Sequence, residues 1–279
     1  MKAVLAGGDR RMTLTGQLLT GQGYEVEEIC NAEERQWQEK LARSDLLILP
    51  YPYAVKEGRI PGWENGGVGG AQKLLERLLP GTAIIAGMGL PQETAGYANA
   101  RGLRLVYYQD DPAFLLRNAE ISAEAAVEAL MQQSEAVLDE LRVLLLGYGL
   151  FGRATAARLR ALGARVWVAA RRQAQRQVAV HDGMAALPPE EICFVAPHTD
   201  AVLNTIPAVV LGREQLHRFS KQTVFLELAS PPYGIDLPAA AQLGLNVQVL
   251  PGLPTQYAPL SAARALAETI VNRFKEGRS

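Results

Sequence analysis

The sequence predicts an α/β protein made of two doubly wound parallel-sheet domains, the C-terminal one a Rossmann dinucleotide-binding domain. Three observations lead there. Short apolar runs alternate with helix-like segments along the 279 residues, which is the pattern of βαβ units joined by right-handed crossovers. The run at 46–49 is apolar throughout and stopped by Pro50, as expected of a parallel strand buried on both faces. The run at 141–146 ends in Gly147-Tyr148-Gly149-Leu150-Phe151-Gly152, enters a helix-like segment at about 154–162, and is followed by a second apolar run at 166–170. In that strand–turn–helix–strand context G-x-G-x-x-G signals dinucleotide binding.

Taken in order, residues 3–6 read as a first strand, Gly7-Gly8-Asp9-Arg10-Arg11 as its loop, and 12–20 as a helix ended by Gly21-Gln-Gly23. Strands follow at 24–29 and 46–49. Residues 51–70 hold prolines, Trp63 and the cluster Gly66-Gly-Val-Gly-Gly70, and read as a long surface loop or hairpin of the kind that serves as a lid. A helix at 71–79, a strand at 83–86, the turn Gly87-Met88-Gly89-Leu-Pro91, another helix and a strand at 104–108 complete the first third. Asp110-Asp111-Pro112 punctuates the chain before a long apolar-periodic helix at about 118–138. Beyond the glycine loop come strands at 201–204, 224–228 and 246–250. The segment 261–274 is amphipathic, with Ala262, Ala265, Leu266, Thr269, Ile270 and Phe274 on one stripe. The expected division is a flavodoxin- or Rossmann-like substrate domain at 1–118, a bridging helix at 119–140, and the dinucleotide domain at 141–257. The helix of 258–279 either closes the second domain or crosses back onto the first.

Composition narrows the function. A net charge of −1 gives no electrostatic reason to expect nucleic acid or an acidic membrane surface, and no run reaches the roughly 18 apolar residues of a membrane span. Cys30 and Cys193 lie far apart without metal-ligand spacing. They read as small buried hydrophobes of a reduced, cytosolic protein.

Within the glycine loop, Gly147 permits the tight turn, Gly149 lets backbone approach a pyrophosphate, and Gly152 lets helix and strand pack closely, with Tyr148, Leu150 and Phe151 between them. The second strand then runs into Ala169-Ala170-Arg171-Arg172. An NAD site places an acid there for the ribose 2′-hydroxyl, whereas a guanidinium grips a 2′-phosphate. NADP is therefore expected in preference to NAD, with Arg171 and Arg172 as its ligands; two solvated arginines opening a surface helix are the bland reading of the same residues. Ligands of open α/β sheets bind beyond the carboxyl ends of strands, and strand after strand here ends in unusual loop chemistry. Two such sheets facing each other are expected to hold cofactor and substrate in the cleft between domains.

Taken together, these loops resemble the family of dipicolinate synthase A subunits, sporulation proteins of Gram-positive bacteria. The matching residues are Gly7-Gly-Asp9-x-Arg11, Leu145-Leu-Gly147-Tyr-Gly-Leu-Phe-Gly152 with Ala161-Leu-Gly-Ala164, and Ala170-Arg171. Further along stand Asn204-Thr205-Ile-Pro207, Glu227-Leu-Ala-Ser230, and Pro251-Gly-Leu-Pro254 followed by Ala258-Pro259. Glu227 departs from the Asp usual in that family. The resemblance implies an architecture similar to the D-2-hydroxyacid dehydrogenases, with the C-terminal helix on the N-terminal domain. It also implies NADP-linked oxidation of a dihydrodipicolinate-type ring to pyridine-2,6-dicarboxylate. The implied partner is a flavoprotein-like B subunit, and the implied location is the cytoplasm of the mother cell.

A dicarboxylate heterocycle calls for Arg, hydroxyls or helix amides. Arg11 is the expected carboxylate ligand. Asp9 fixes its guanidinium, acts as a base, or simply caps the following helix. Ser230 and Thr205 are candidate hydroxyl partners of substrate or nicotinamide. Asn204 and Pro207 are expected to shape the loop after the fourth strand of the dinucleotide domain, beside the nicotinamide ribose, and Met88 and Gly89 line the substrate side. The catalytic set is thus Asp9, Arg11 and Ser230. His181, His198 and His217 lie away from the strand-end loops, so the His–acid dyad of hydroxyacid oxidation is not visible. Two rival readings stay open: an NADP-dependent reductase of another imine or keto acid on the same fold, and a non-catalytic nucleotide-binding subunit that needs its partner. The apolar faces of the bridging and C-terminal helices offer a surface for a homodimer.

Overall fold

The computed structural model of the chain describes residues 1–30, 33–64 and 67–276 and falls into two compact units, Met1–Asn118 with Ala258–Ser279, and Ala119–Tyr257. The elements of the first half are β1 (Lys2–Leu5), α1 (Arg10–Gly21), β2 (Glu25–Glu28), α2 (Glu34–Leu41), β3 (Leu46–Ile48), α3 (Gly70–Arg77), β4 (Ala83–Ala86), α4 (Gln92–Ala100), β5 (Arg104–Tyr107) and α5 (Pro112–Gln133). The second half contributes β6 (Arg142–Leu146), α6 (Leu150–Ala161), β7 (Arg165–Ala169), α7 (Gln173–His181), β8 (Ala185–Leu187), α8 (Ile192–Val195) and β9 (Ala201–Asn204). It ends with α9 (Arg213–Leu216), β10 (Val224–Glu227), α10 (Leu237–Gln242), β11 (Val247–Val249), α11 (Leu253–Tyr257) and α12 (Pro259–Glu276).

The first unit is a five-stranded sheet in the order β2-β1-β3-β4-β5, parallel at each pairing. This is the flavodoxin-like winding, with its switch point between β1 and β3. The central strands β1, β3 and β4 are apolar and buried almost end to end, because helices cover both faces. The last helix of the chain belongs to this unit: α12 buries Ala262, Ala263, Leu266, Ala267, Ile270 and Phe274 and packs on α1. Thr15 Oγ1 on α1 donates to Arg11 O at 2.9 Å and lies 3.4 Å from Ala263 O. Arg104 of β5 donates to the carbonyls of Arg273 and Phe274, both at 3.3 Å, satisfying groups that the C-terminal turn of a helix leaves open.

The second unit is a six-stranded parallel sheet in the order β11-β10-β9-β6-β7-β8, the doubly wound Rossmann order. Its switch point lies between β6 and β9. The apolar residues alternate between two cores, with Val143 and Leu145 on one face and Leu144 and Leu146 on the other. At the amino ends of these two strands, Asp200 accepts from Arg142 N at 2.8 Å and from Arg142 Nε and a terminal guanidinium nitrogen, each at 2.9 Å.

Several expectations need correction. The segment 51–70 is a loop with a hairpin-like antiparallel bridge between Lys56 and Arg59, exposed at 56–59, but it is pinned rather than free. Ala54, Val55, Ile60 and Trp63 are buried in the first core, Trp63 meets Trp37 edge to face at 5.7 Å, and Gly8 N donates to Pro61 O. Apolar residues are present among its prolines and glycines, but they have no period, so neither a helix nor a strand template finds them. Asn65 and Gly66 of that segment, like 277–279 of the C-terminal helix, lie outside the described residues. The long helix begins at Pro112, not Asn118, since Asp111 Oδ1 accepts from Ala113 N at 2.9 Å and Phe114 N at 3.2 Å and proline suits a first helical position. Helix α6 likewise starts at Leu150, directly on the glycine loop, rather than at Ala154. The short strand β8 carries no sequence signal and forms by pairing with β7. Cys30 and Cys193 are half-buried rather than buried.

Replacing the fully buried Leu266 by Ala should cost the first unit about 2–5 kcal/mol. Native-state hydrogen exchange should then show lost protection at β1 and β3 and none at β6 and β9; equal loss in both sheets would show that α12 does not belong to the first unit's cooperative fold. The hydrogen bonds from Arg142 hold the Asp200 carboxyl below the usual aspartate range. A lowered folded-state pKa stabilises above the unfolded value, and that stability disappears as pH falls through the folded one. Asp200→Asn should therefore flatten the acid limb of a stability-against-pH curve while leaving its shape above neutrality unchanged.

Candidate dinucleotide site

The turn after β6 is shaped by what cannot fit there. Gly147 has φ of +95°, and a Cβ on it would lie 2.6 Å from Thr205 Oγ1 and 2.8 Å from the Ile206 side chain. A Cβ on Gly152 would overlap the carbonyl oxygen of Gly147. Only hydrogen at both positions lets the first turn of α6 lie on the end of β6. Thr205 fastens the neighbouring strand end to the same turn: its backbone N and its hydroxyl both donate to Leu146 O, at 3.0 and 2.8 Å. Gly149 differs, since a Cβ there would meet nothing within 4 Å. It is the N-cap of α6 and offers no capping side chain, so the first-turn amides of Leu150, Phe151 and Gly152 remain for an anion at the positive end of the helix. The arrangement fits a pyrophosphate.

The three intervening residues divide by role. Leu150 is 51% exposed and Phe151 packs on the core. Tyr148 is buried and turned inward, its hydroxyl donating to Asp182 Oδ2 at 2.8 Å. Arg153 grips the same carboxylate, Nε at 2.8 Å and a terminal nitrogen at 3.1 Å. Burial, then the bond to Asp182, push the Tyr148 phenol up, and the bonds from Tyr148 and Arg153 pull the Asp182 carboxyl down. Tyr148 therefore serves the loop through its backbone. Where an acid would select NAD, β7 ends in the buried pair Ala169 and Ala170, and both Arg171 and Arg172 are exposed beyond it.

The loops after β9 and β10 are tied by a residue that sequence reasoning did not assign a function. Glu227 is fully buried and has no cation beside it among the described residues. One carboxylate oxygen accepts from Asn204 Nδ2 at 2.6 Å and Ala229 N at 3.0 Å. The other accepts from Gly234 N and Ile235 N, both at 3.0 Å. Four donors on one carboxylate replace its water shell. Asn204 is equally committed, giving Nδ2 also to Ile206 O at 2.9 Å and taking Ile206 N on Oδ1 at 3.0 Å. A Cβ on Gly234 would strike this amide. Asn204 thus shapes the loop after β9, as the sequence led one to expect, with its side chain turned into the fold. Pro207 and Ser230 are exposed on the two loops that it shapes. The sequence signals for Glu227 are a charge in the apolar run Val224-Phe-Leu-Glu-Leu228 and its place at the head of Glu227-Leu-Ala-Ser230.

In the first unit Asp9 is the N-cap of α1, accepting from Arg11 N at 3.0 Å and Met12 N at 3.4 Å, and its other oxygen lies 3.2 Å from the Arg11 guanidinium. Two of the three expected roles, cap and fixing group, are therefore present together. Arg11 is only 4% exposed. It donates to Tyr51 O, lies 5.2 Å from the Tyr51 ring centroid, and keeps a buried Nε with no partner among the described residues. Tyr51 packs edge to face on Tyr108 and Phe114. Met88 is 42% exposed beside Gly89, in a turn tied to Pro52 and Ala54 by backbone bonds. All three histidines are exposed.

The model of the NADPH-binding domain of acetohydroxy acid isomeroreductase matches residues 137–218, the span holding the glycine loop and Arg171. The dipicolinate synthase A subunit of Bacillus subtilis (strain 168) is 27% identical over 99% of this chain and 96% of its own length. The crystal structure of the Bacillus subtilis A subunit superposes with a TM-score of 0.82 at 26% identity, covering 99% of this chain and 96% of that one. The crystal structure of the Bacillus halodurans A subunit gives 0.81 at 23% identity, covering 97% and 96%. The chain is similar to the dipicolinate synthase A subunit over nearly its whole length, and its second unit is a nicotinamide-dinucleotide-binding fold of the oxidoreductase type.

Glu227→Gln should destabilise the second unit by about 3 kcal/mol or more, since an amide nitrogen would face two N–H donors and each bond to the charged group contributes about 1.5–3 kcal/mol. Denaturant unfolding reads this directly; a variant as stable as the parent would show that the carboxylate is not the loops' anchor.

Proposed function

We propose that the chain is an NADP-dependent oxidoreductase subunit that forms dipicolinate from a dihydrodipicolinate-type precursor, alongside a flavoprotein-like second subunit in the mother cell of a sporulating bacterium. The observation that carries this reading is the similarity to the dipicolinate synthase A subunit along almost the entire chain. The acid-free end of β7 supports NADP over NAD, because nothing there repels a 2′-phosphate.

The reaction removes a hydride from a ring carbon and a proton from the adjacent ring atom, leaving an aromatic pyridine. NADP, when bound in its oxidised form, would supply the hydride acceptor. The chain's own contribution is binding and orientation. The amides of Leu150, Phe151 and Gly152 would hold the pyrophosphate, and Arg171 with Arg172 would hold the 2′-phosphate. Arg11, whose Nε is buried and unpartnered, takes one ring carboxylate, with Met88 and Gly89 lining that side. Ser230 and Thr205 present hydroxyl oxygens to substrate or nicotinamide. Asp9 fixes Arg11 and, with its side chain partly exposed, would receive the ring proton.

One observation favours a second reading. With all histidines exposed and Asp9 already bonded to α1 and Arg11, no dedicated acid–base pair stands out among the described residues, which suits a nucleotide-binding subunit that turns over only with its partner. Reduction of another imine or keto acid would use the same cofactor site with a different substrate.

A thermal-shift titration of the purified chain with NADP, NADPH, NAD and NADH, each with and without dipicolinate, tests the proposal, since ligands selective for the native state must raise Tm. NADP and NADPH should stabilise more than NAD and NADH, dipicolinate should add to the shift, and Arg171→Asp should remove the preference. Equal shifts from NAD and NADP would sink the NADP reading. NADPH formation from a dihydrodipicolinate-type substrate by the chain alone would eliminate the partner-dependent reading.

A further inference from the structure

Arg171 and Arg172 project from the end of β7, and the fold brings a third arginine to the same turn. Arg176 lies on α7, and one terminal guanidinium nitrogen donates to Ala170 O at 2.7 Å and to Arg171 O at 2.8 Å. Both carbonyls belong to the turn from which Arg171 and Arg172 project. The residue before it, Gln175, reaches from the same helical turn to Tyr148 O in the glycine loop at 3.4 Å. One turn of α7 therefore holds both the phosphate-facing backbone of the glycine loop and the arginine-bearing turn after β7.

The charge at this place is uncompensated. None of Arg171, Arg172 and Arg176 pairs with a carboxylate among the described residues. Three guanidinium groups within six residues repel one another unless an anion sits among them. Arg176 is half-buried, and its Nε and second terminal nitrogen have no protein acceptor in that set, so it retains donors for a phosphate oxygen as well. Its bonds to two backbone carbonyls are charge-assisted, each stronger than a neutral one.

We propose that Arg176 is the positioning residue that sets this unit's preference for a dinucleotide bearing a 2′-phosphate: by holding the carbonyls of Ala170 and Arg171 it fixes the turn that presents Arg171 and Arg172. The inference rests on the NADP reading above and goes beyond it in naming what orients the grip. A lysine could not take its place fully: an ammonium could meet both carbonyls as the one terminal nitrogen of Arg176 does, but it lacks the rigidly placed Nε and second terminal nitrogen that are left to face an anion.

The test is calorimetric binding of 2′,5′-ADP and 5′-AMP to the full chain, for the parent, Arg176→Met, Arg176→Lys and Arg171→Ala. The two probes differ only in the phosphate under discussion. Arg176→Met should weaken 2′,5′-ADP about tenfold, the scale of one charged hydrogen bond, and leave 5′-AMP essentially unchanged; Arg176→Lys should recover part of the loss. A parallel loss for both probes would mean that Arg176 merely supports the fold, and would overturn the inference, as would unchanged binding of 2′,5′-ADP. If the parent and Arg171→Ala distinguish the probes as the NADP reading requires but Arg176→Met still does so fully, only this inference falls. A parent that binds both probes equally brings down the cofactor reading and this inference with it.

Discussion

The close approach of the first turn of α6 to the end of β6 is the constraint on which the second unit's ligand-facing edge depends. It requires that two residues lack a Cβ, Gly147 beside Thr205 and Gly152 against the Gly147 carbonyl. Once that approach is made, the helix axis points its open amides and positive dipole end across the switch between β6 and β9. The Thr205 hydroxyl, donating to Leu146 O, locks the neighbouring strand's exit to the same turn. The glycine loop is consequently rigid before any anion arrives, which lowers the ordering cost of binding.

A second device stiffens the adjoining loops. A buried carboxylate is costly unless its lone pairs are satisfied, and Glu227 meets that condition with one side-chain amide and three backbone N–H groups drawn from Asn204 and from residues 229–235. Because its partners come from two different strand exits, it fixes their relative placement. The loops that carry Ser230 and Thr205 are thereby tied to one another. The inward-turned Tyr148 and the Asp182–Arg153 pair do the same for the back of the glycine loop.

The first unit uses a comparable economy at the end of β1. Asp9 caps α1 and steadies Arg11 in one arrangement. Arg11 in turn lies against Tyr51, whose ring is wedged between Tyr108 and Phe114. The segment after β3 is thereby part of the core and of the arginine's surroundings at once. The Arg11 guanidinium is buried in these surroundings, and its Nε has no partner among the described residues.

By itself the sequence determined the alternation of strands and helices, the parallel character of both sheets and the glycine loop with its acid-free sequel. These are written in local periodicity and in residues whose backbone or charge properties act within one βαβ unit. Boundaries set by caps are less legible: Asp111 and Pro112 read as punctuation along the chain, yet in the fold they begin α5. What only the tertiary structure decided involves partners distant in the chain. The burial of Ala54, Val55, Ile60 and Trp63 depends on Trp37 and on the Gly7–Gly8 turn, β8 depends on an edge offered by β7, and α12 packs on a helix far earlier in the chain, where Thr15 lies by Ala263 across a separation of 248. The role of Glu227 is of the same kind. A carboxylate in an apolar run reads as an anomaly until the fold delivers four donors to it, and no local pattern encodes where those donors come from.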